Sequence, residues 1–141
     1  NTDGSLIPKS LTDINHTWTQ KEIDAGVAPG GTSAGAAKLD LDGKQIVTPG
    51  LKTEAIALAK QQAAGRLQPY DWYVVRKAET DVAIPSPITT YRAAVRTACA
   101  AIETKITNVA DLAAFIALYD VPVKDGKPTG NAPIADWPED L

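Results

Sequence analysis

Apolar residues recur at helical spacing through the second half of the chain and are sparser before it. Residues 51–67 carry an apolar stripe between polar positions and predict a first helix. Pro69 ends that run, because proline disfavours helix at the residue before it. Asp71 is the expected N-cap of a short second helix over residues 72–79, although Tyr73-Val74-Val75 would suit a strand equally well.

The third helix, over residues 87–107, has the clearest pattern. Ser86 is its expected N-cap, with proline at the first helical position. Asn108 is expected to cap a fourth helix over residues 109–119, which is apolar nearly all round and must be buried by its own fold or by a partner. The third helix has one apolar face made of Ile88, Tyr91, Val95, Ala98, Ile102 and Ile106.

These patterns predict a mainly α fold: a small helical domain of three to four helices, with an extended N-terminal arm and a short β-hairpin. Much of the apolar content is alanine, so the core should be thin. In a chain with one Phe and no Met, Trp72 and Trp137 are expected to lie in the core rather than at an interface. The expected core anchors are Trp72, Tyr91, Val95 and Ile102.

Other residues are candidates for a partner interface. Trp18 lies in a linker-like segment, where a large aromatic ring is expected to pack against a neighbouring chain. Arg92 and Arg96 lie four apart on one helix face. They either anchor a partner's carboxylates or form a solvated flank, and the weakness of exposed ion pairs favours the flank. The apolar helix adds Phe115, Ile116 and Tyr119.

Residues 1–37 lack helical periodicity and are rich in Gly and Pro, so we expect an extended arm ordered by contact with something else. Residues 38–50 predict a short hairpin, in which Asp42-Gly43 supplies the turn. The spacing of Asp40 and Asp42 resembles the start of a calcium loop but lacks its closing Glu, so a plain turn is expected. The helical domain takes residues 51–141, including a Pro/Gly-rich tail.

Neither the composition nor the motifs of the sequence indicate a catalytic or ligand-binding site. The net charge of −3 argues against binding a nucleic-acid backbone, and no apolar run approaches the roughly 20 residues of a membrane span. His16 is the only histidine and has no triad pattern around it, while Cys99 is expected to be a small buried apolar side chain. We expect no catalytic residue, no metal and no cofactor. The sequence leaves open whether residues precede Asn1.

Several residues of the helical region, taken in order, form a recognisable pattern. They are Asp71-Trp72-Tyr73, Arg76, Glu79, Tyr91-Arg92, Val95-Arg96 and Trp137-Pro138. This pattern resembles the C-terminal region of bacteriophage tail proteins of the tail fibre assembly and tail assembly chaperone-like group. The resemblance covers residues 51–107 and the Trp-Pro pair, whereas helix 109–119 and a long loop between them depart from it. It implies assembly with other tail proteins, no enzyme activity and no cofactor.

The resulting hypothesis is a structural virion protein of a phage tail, at the baseplate or the fibre attachment, assembled in the bacterial host cytoplasm. Its partners would be fibre or baseplate subunits in multiple copies, with neither nucleic acid nor membrane. One alternative is a tail fibre assembly chaperone that is not retained in the virion. An alternative from another class is a small phage enzyme or regulator.

Overall fold

Helices make up most of the regular structure in residues 9–141, the part of the chain that the computed structural model describes. The predicted mainly α fold is confirmed. The chain divides into two compact units, Asn1–Glu54 and Ala55–Leu141. Within the described residues, no helix is both long enough and apolar enough to span a bilayer.

The first unit is built on short antiparallel pairings. Strand β1 (Ile14–Asn15) pairs with β2 (Val47–Thr48), and helix α1 (Gln20–Asp24) lies between them in sequence. Helix α1 begins with a capping box, in which Thr19 and Glu22 each bind the other's backbone N–H. Two isolated bridges extend the pairing, Thr17 with Ala37 and Leu39 with Gln45.

The expected arm is therefore folded differently from a free extended segment. Residues 1–8 lie outside the described part, but residues 14–18 hydrogen-bond to residues 36–38 and 46–48. The boundary expected after residue 37 cuts through this pairing. The physical reason is backbone hydrogen bonding: the N–H and C=O groups of residues 14–18 find partners in later segments of the unit.

The hairpin expected at Asp42-Gly43 has the predicted turn. Gly43 has a φ of +78°, which glycine adopts at little cost. Asp40 Oδ1 accepts the backbone N–H groups of Asp42 and Lys44, each at 2.9 Å, so this carboxylate braces the turn. In the described part of the chain, no group of three or more His, Cys, Asp and Glu side chains is placed to hold a metal ion.

Helix α2 (Leu51–Leu67) has the bounds that its apolar stripe predicted, and its start is anchored by a residue far upstream. Asp13 Oδ1 accepts the N–H of Gly50 at 2.8 Å and the hydroxyl of Thr53, and these bonds lower the pKa of the carboxyl group. Gly50 is required there, because a Cβ on it would lie 2.3 Å from the carbonyl carbon of Thr12. A residue 37 positions upstream thus caps the helix.

The other helices have N-caps that differ from the predicted ones by one to three residues. Residues Gln68–Tyr70 form a 3₁₀ turn, and α3 (Asp71–Thr80) follows with Tyr70, not Asp71, at its N-cap. Helix α4 (Ser86–Asn108) has Pro85 at its N-cap, one residue before the predicted cap. Helix α5 (Leu112–Ala117) is shorter than predicted, because Asp111 rather than Asn108 caps it, accepting the N–H of Ala114 at 2.8 Å.

The tail after α5 forms a hairpin and a closing turn. Strands β3 (Val123–Lys124) and β4 (Lys127–Pro128) pair across Asp125 and Gly126, whose φ values of 52° and 76° suit a tight hairpin turn. A 3₁₀ turn at Pro133–Ala135 then brings Trp137 to the helices.

The core of the second unit lies between α2, α4, α5 and the tail. Helix α2 contributes small side chains, and α4 contributes the large ones. The only fully buried large side chains among the described residues are Val95, Ile102 and Ile106, all on α4. The remaining core residues are Ala55, Ala59, Ala63, Ile88, Tyr91, Phe115, Ala132 and Trp137.

Candidate functional site

Helix α3 has no buried residue: Tyr73 and Arg76 are partly exposed, and its other residues are exposed. Trp72 and Val75 are 52% and 53% exposed, and Arg76 lies beside them one turn on from Trp72. We call Trp72, Val75 and Arg76 the α3 surface. Exposed apolar side chains next to an aromatic ring and an arginine are typical of protein–protein contact sites.

The expectation that Trp72 is a core anchor is not met, and the local packing shows why. The Trp72 ring stacks on Tyr73, with 4.0 Å between the ring centroids. The Arg76 guanidinium lies 4.8 Å from the Trp72 centroid and 5.4 Å from that of Tyr73. These contacts lie within α3 itself, while the core is filled from α4, so the indole stays at the surface.

Arg76 gives the α3 surface an unsatisfied donor. Its Nε atom is shielded from solvent and has no hydrogen-bond partner among the described residues. A shielded donor without a partner is costly, so Arg76 has hydrogen-bonding capacity that its own chain does not satisfy. The other parts of the cation are held by its contacts with two aromatic rings.

The two arginines of the α4 face have different environments. Arg92 Nη1 donates to Asp71 Oδ1 at 2.8 Å and to the carbonyl of Leu67 at 3.0 Å, with its side chain only 15% exposed. It joins α4 to the start of α3 and is not available as an interface anchor. Arg96 is exposed. The predicted pair is therefore not a joint anchor, because the fold itself uses Arg92.

The apolar helix is split between core and surface. Phe115 is 5% exposed, contrary to its assignment as an interface residue, because it is the one position of the short helix α5 that faces the interior. Ile116 and Tyr119 are 55% and 52% exposed, so they remain free for contact. Phe115 and Tyr119 meet edge to face, with centroids 5.7 Å apart.

Trp18 contacts its own unit. It is half-buried, and Lys38 Nζ lies 5.0 Å from the ring centroid. Lys38 also pairs with Glu22, and this contact, together with the bond from the Thr19 backbone, lowers the pKa of Glu22 to about 2. A neighbouring chain is not needed to cover the indole, because the side chain of Lys38 already does so.

A cleft of about 640 Å³ opens beside the buried Tyr91, between α2, the 3₁₀ turn that follows it, and the tail. We call it the Tyr91 cleft. The Tyr91 hydroxyl donates to Asp140 Oδ1 at 3.1 Å, and Arg66 Nη1 donates to the same oxygen at 2.8 Å. Trp137 lines the cleft and donates its indole N–H to Gln62 Oε1 at 3.1 Å.

Sequence patterns single out two of these residues but not the others. Tyr91 lies on the apolar face of α4, and Trp137 stands out as a rare aromatic residue. Arg66 and Asp140 are ordinary surface charges separated by 74 positions, and no periodicity relates them. Only the fold brings the Arg66 guanidinium to the carboxylate oxygen of Asp140.

Cys99 is not an activated thiol. It is half-buried, and its burial, followed by the nearby Glu103 carboxylate at 3.4 Å, raises the pKa of the thiol. Thiolate is the nucleophilic form, so a raised pKa disfavours reaction.

The other expected core residues, Val95 and Ile102, are fully buried on α4.

Comparison with protein-family models, with curated proteins and with solved structures gave no match to this chain.

Proposed function

We propose that the chain is a structural protein that acts by binding other proteins rather than by catalysis, and that the α3 surface is its principal docking site. The observation that carries this proposal is a ten-residue helix without a buried residue that exposes Trp72 and Val75. Burying apolar surface is worth about 25 cal/mol per Å², so a partner that covers these two side chains gains substantially.

The resemblance supplies the biological setting of the proposal. Several of its residues lie on α3, including Trp72 and Arg76, which form the proposed docking site. We therefore propose a virion protein of a bacteriophage tail, at the baseplate or the fibre attachment, assembled in the host cytoplasm. The partner is another tail subunit that offers an apolar patch with an acidic or carbonyl acceptor for Arg76.

Residues 14–18 pair with later segments of their own unit, so they do not form a free arm that could hold the chain on the particle. Retention therefore has to be measured. Mass spectrometry of purified particles should find the chain at a fixed copy number. Finding it only in soluble complexes with the fibre protein would instead identify an assembly chaperone.

The docking site has a matched test. Val75→Asp places a charge on the α3 surface, while Val123→Asp makes the same change at a side chain that is 60% exposed on β3. Both variants should fold, because both positions are exposed. Only Val75→Asp should lose incorporation in a complementation assay. Equal incorporation of the two variants would refute the assignment of α3 as the docking helix.

A further inference from the structure

Two donors from different helices meet at one point in the Tyr91 cleft. Arg66 on α2 and Tyr91 on α4 both donate to Asp140 Oδ1, at 2.8 and 3.1 Å. A guanidinium and a phenolic hydroxyl aimed at the same oxygen suit a carboxylate, because charge-assisted hydrogen bonds are the stronger ones. The cleft thus contains a formed carboxylate position.

The donors of this position are held by packing. Tyr91 is only 5% exposed, and its ring meets Tyr70 edge to face at 5.5 Å. The Arg66 guanidinium lies 5.5 Å from the ring centroid of Trp137, which is itself 8% exposed. A site whose donors are oriented before binding loses less entropy when a ligand arrives.

The residue that occupies the position is held much less firmly. The side chain of Asp140 is 80% exposed, and it lies in the irregular tail beyond Trp137. An exposed ion pair contributes little on its own, and favours its paired form by only about one- to fivefold. The cleft is also far larger than one carboxylate, at about 640 Å³.

We propose that the Tyr91 cleft binds an acidic peptide segment of a partner protein, and that Asp140 occupies its carboxylate position in the unbound chain. Arg66 supplies the charge that selects an Asp or Glu side chain, and the Trp137 ring supplies an apolar wall for the residue beside it. The partner's carboxylate displaces that of Asp140. This inference is independent of the α3 surface.

Full-length Asp140→Asn protein tests the proposal. The probe is the acetylated and amidated tetrapeptide Pro-Glu-Asp-Leu, which repeats residues 138–141, and its control is Pro-Gln-Asn-Leu. Binding is followed by the indole N–H resonance of Trp137. Asp140 competes through a weak exposed ion pair, so we expect Asp140→Asn to bind the acidic peptide about two- to sixfold more tightly than the wild-type chain.

Two further changes identify the donors. In the Asp140→Asn background, Arg66→Gln should abolish saturable binding, and Tyr91→Phe should weaken it several-fold while it keeps the buried ring. The indole resonance of Trp18 should stay unmoved throughout, whereas that of Trp137 shifts.

Three results would overturn the proposal. One is equal binding of the acidic and neutral peptides. Another is equal affinity of the wild-type chain and Asp140→Asn for the acidic peptide. The third is an equal effect of sodium acetate at the same concentration, which would show a bare carboxylate contact with no peptide recognition. None of these outcomes would bear on the α3 surface, since the probe and the variants do not involve it.

Discussion

Replacing Ile102 by alanine should destabilise the second unit strongly. Ile102 is 0% exposed on α4, and it is one of only three large side chains that are fully buried in the described residues. The change removes three carbon atoms, which accounts for about 2.4 kcal/mol at about 0.8 kcal/mol each. The facing helix contributes mainly alanines, which cannot move far enough to fill the space.

A cavity term therefore adds to the transfer term, and the expected loss is about 3–4 kcal/mol. That is a large share of the about 5–15 kcal/mol by which domains are usually stable. Urea unfolding followed by far-UV circular dichroism measures it, because α2 to α5 provide most of the helical signal.

The chain provides a matched control in Ile116, which is 55% exposed on α5. Ile116→Ala makes the same chemical change and should alter the free energy of unfolding by less than about 0.5 kcal/mol. Equal losses for the two variants, or a loss below about 1 kcal/mol for Ile102→Ala, would refute the placement of the core on this face of α4.

Two further predictions concern the first unit. Gly50→Ala should destabilise it by about 1–3 kcal/mol, since the new Cβ meets the Thr12 backbone, whereas Gly30→Ala, with nothing within 4 Å, should be nearly neutral; thermal unfolding of both variants compares them. The pKa of Glu22 is lowered by Lys38 from 4.5 to about 2, so its ionised form stabilises the folded state above about pH 4.5. This contribution should disappear as the pH falls from about 4.5 to about 2, and Glu22→Gln should remove that part of the pH dependence of unfolding, followed by the indole N–H resonance of Trp18.

Much of the helical architecture follows from local sequence. The apolar stripe over residues 51–67 gives α2 its bounds, and the steps of three and four from Ile88 to Ile106 give α4 its buried face. Asp125-Gly126 gives a hairpin turn, because the backbone angles of a tight turn are a property of two residues. Structural features that depend only on residues close together in the chain can be predicted from the sequence.

Helix starts were less predictable. Asp111 and Asn108 are both good caps, and the sequence offers no way to choose between them. At α2 the cap comes from Asp13, far upstream, so no window around residue 51 contains it. The pairing of residues 14–18 with two later segments was also missed. It joins segments far apart in the chain through backbone hydrogen bonds, and these produce no alternation of apolar and polar residues that a sequence pattern would show.

The sequence by itself determined the helical segments after residue 50 and that α4 provides the large side chains of the core, because helical periodicity is a local signal; the short helix α1, in a segment expected to be extended, was missed. Only the tertiary structure decided that Phe115 is buried while Trp72 is exposed, since burial depends on which face of a short helix meets another element. Only the tertiary structure brought Arg66, Tyr91 and Asp140 to one point. Convergence of this kind is set by chain folding over long separations, which the spacing of residues does not encode.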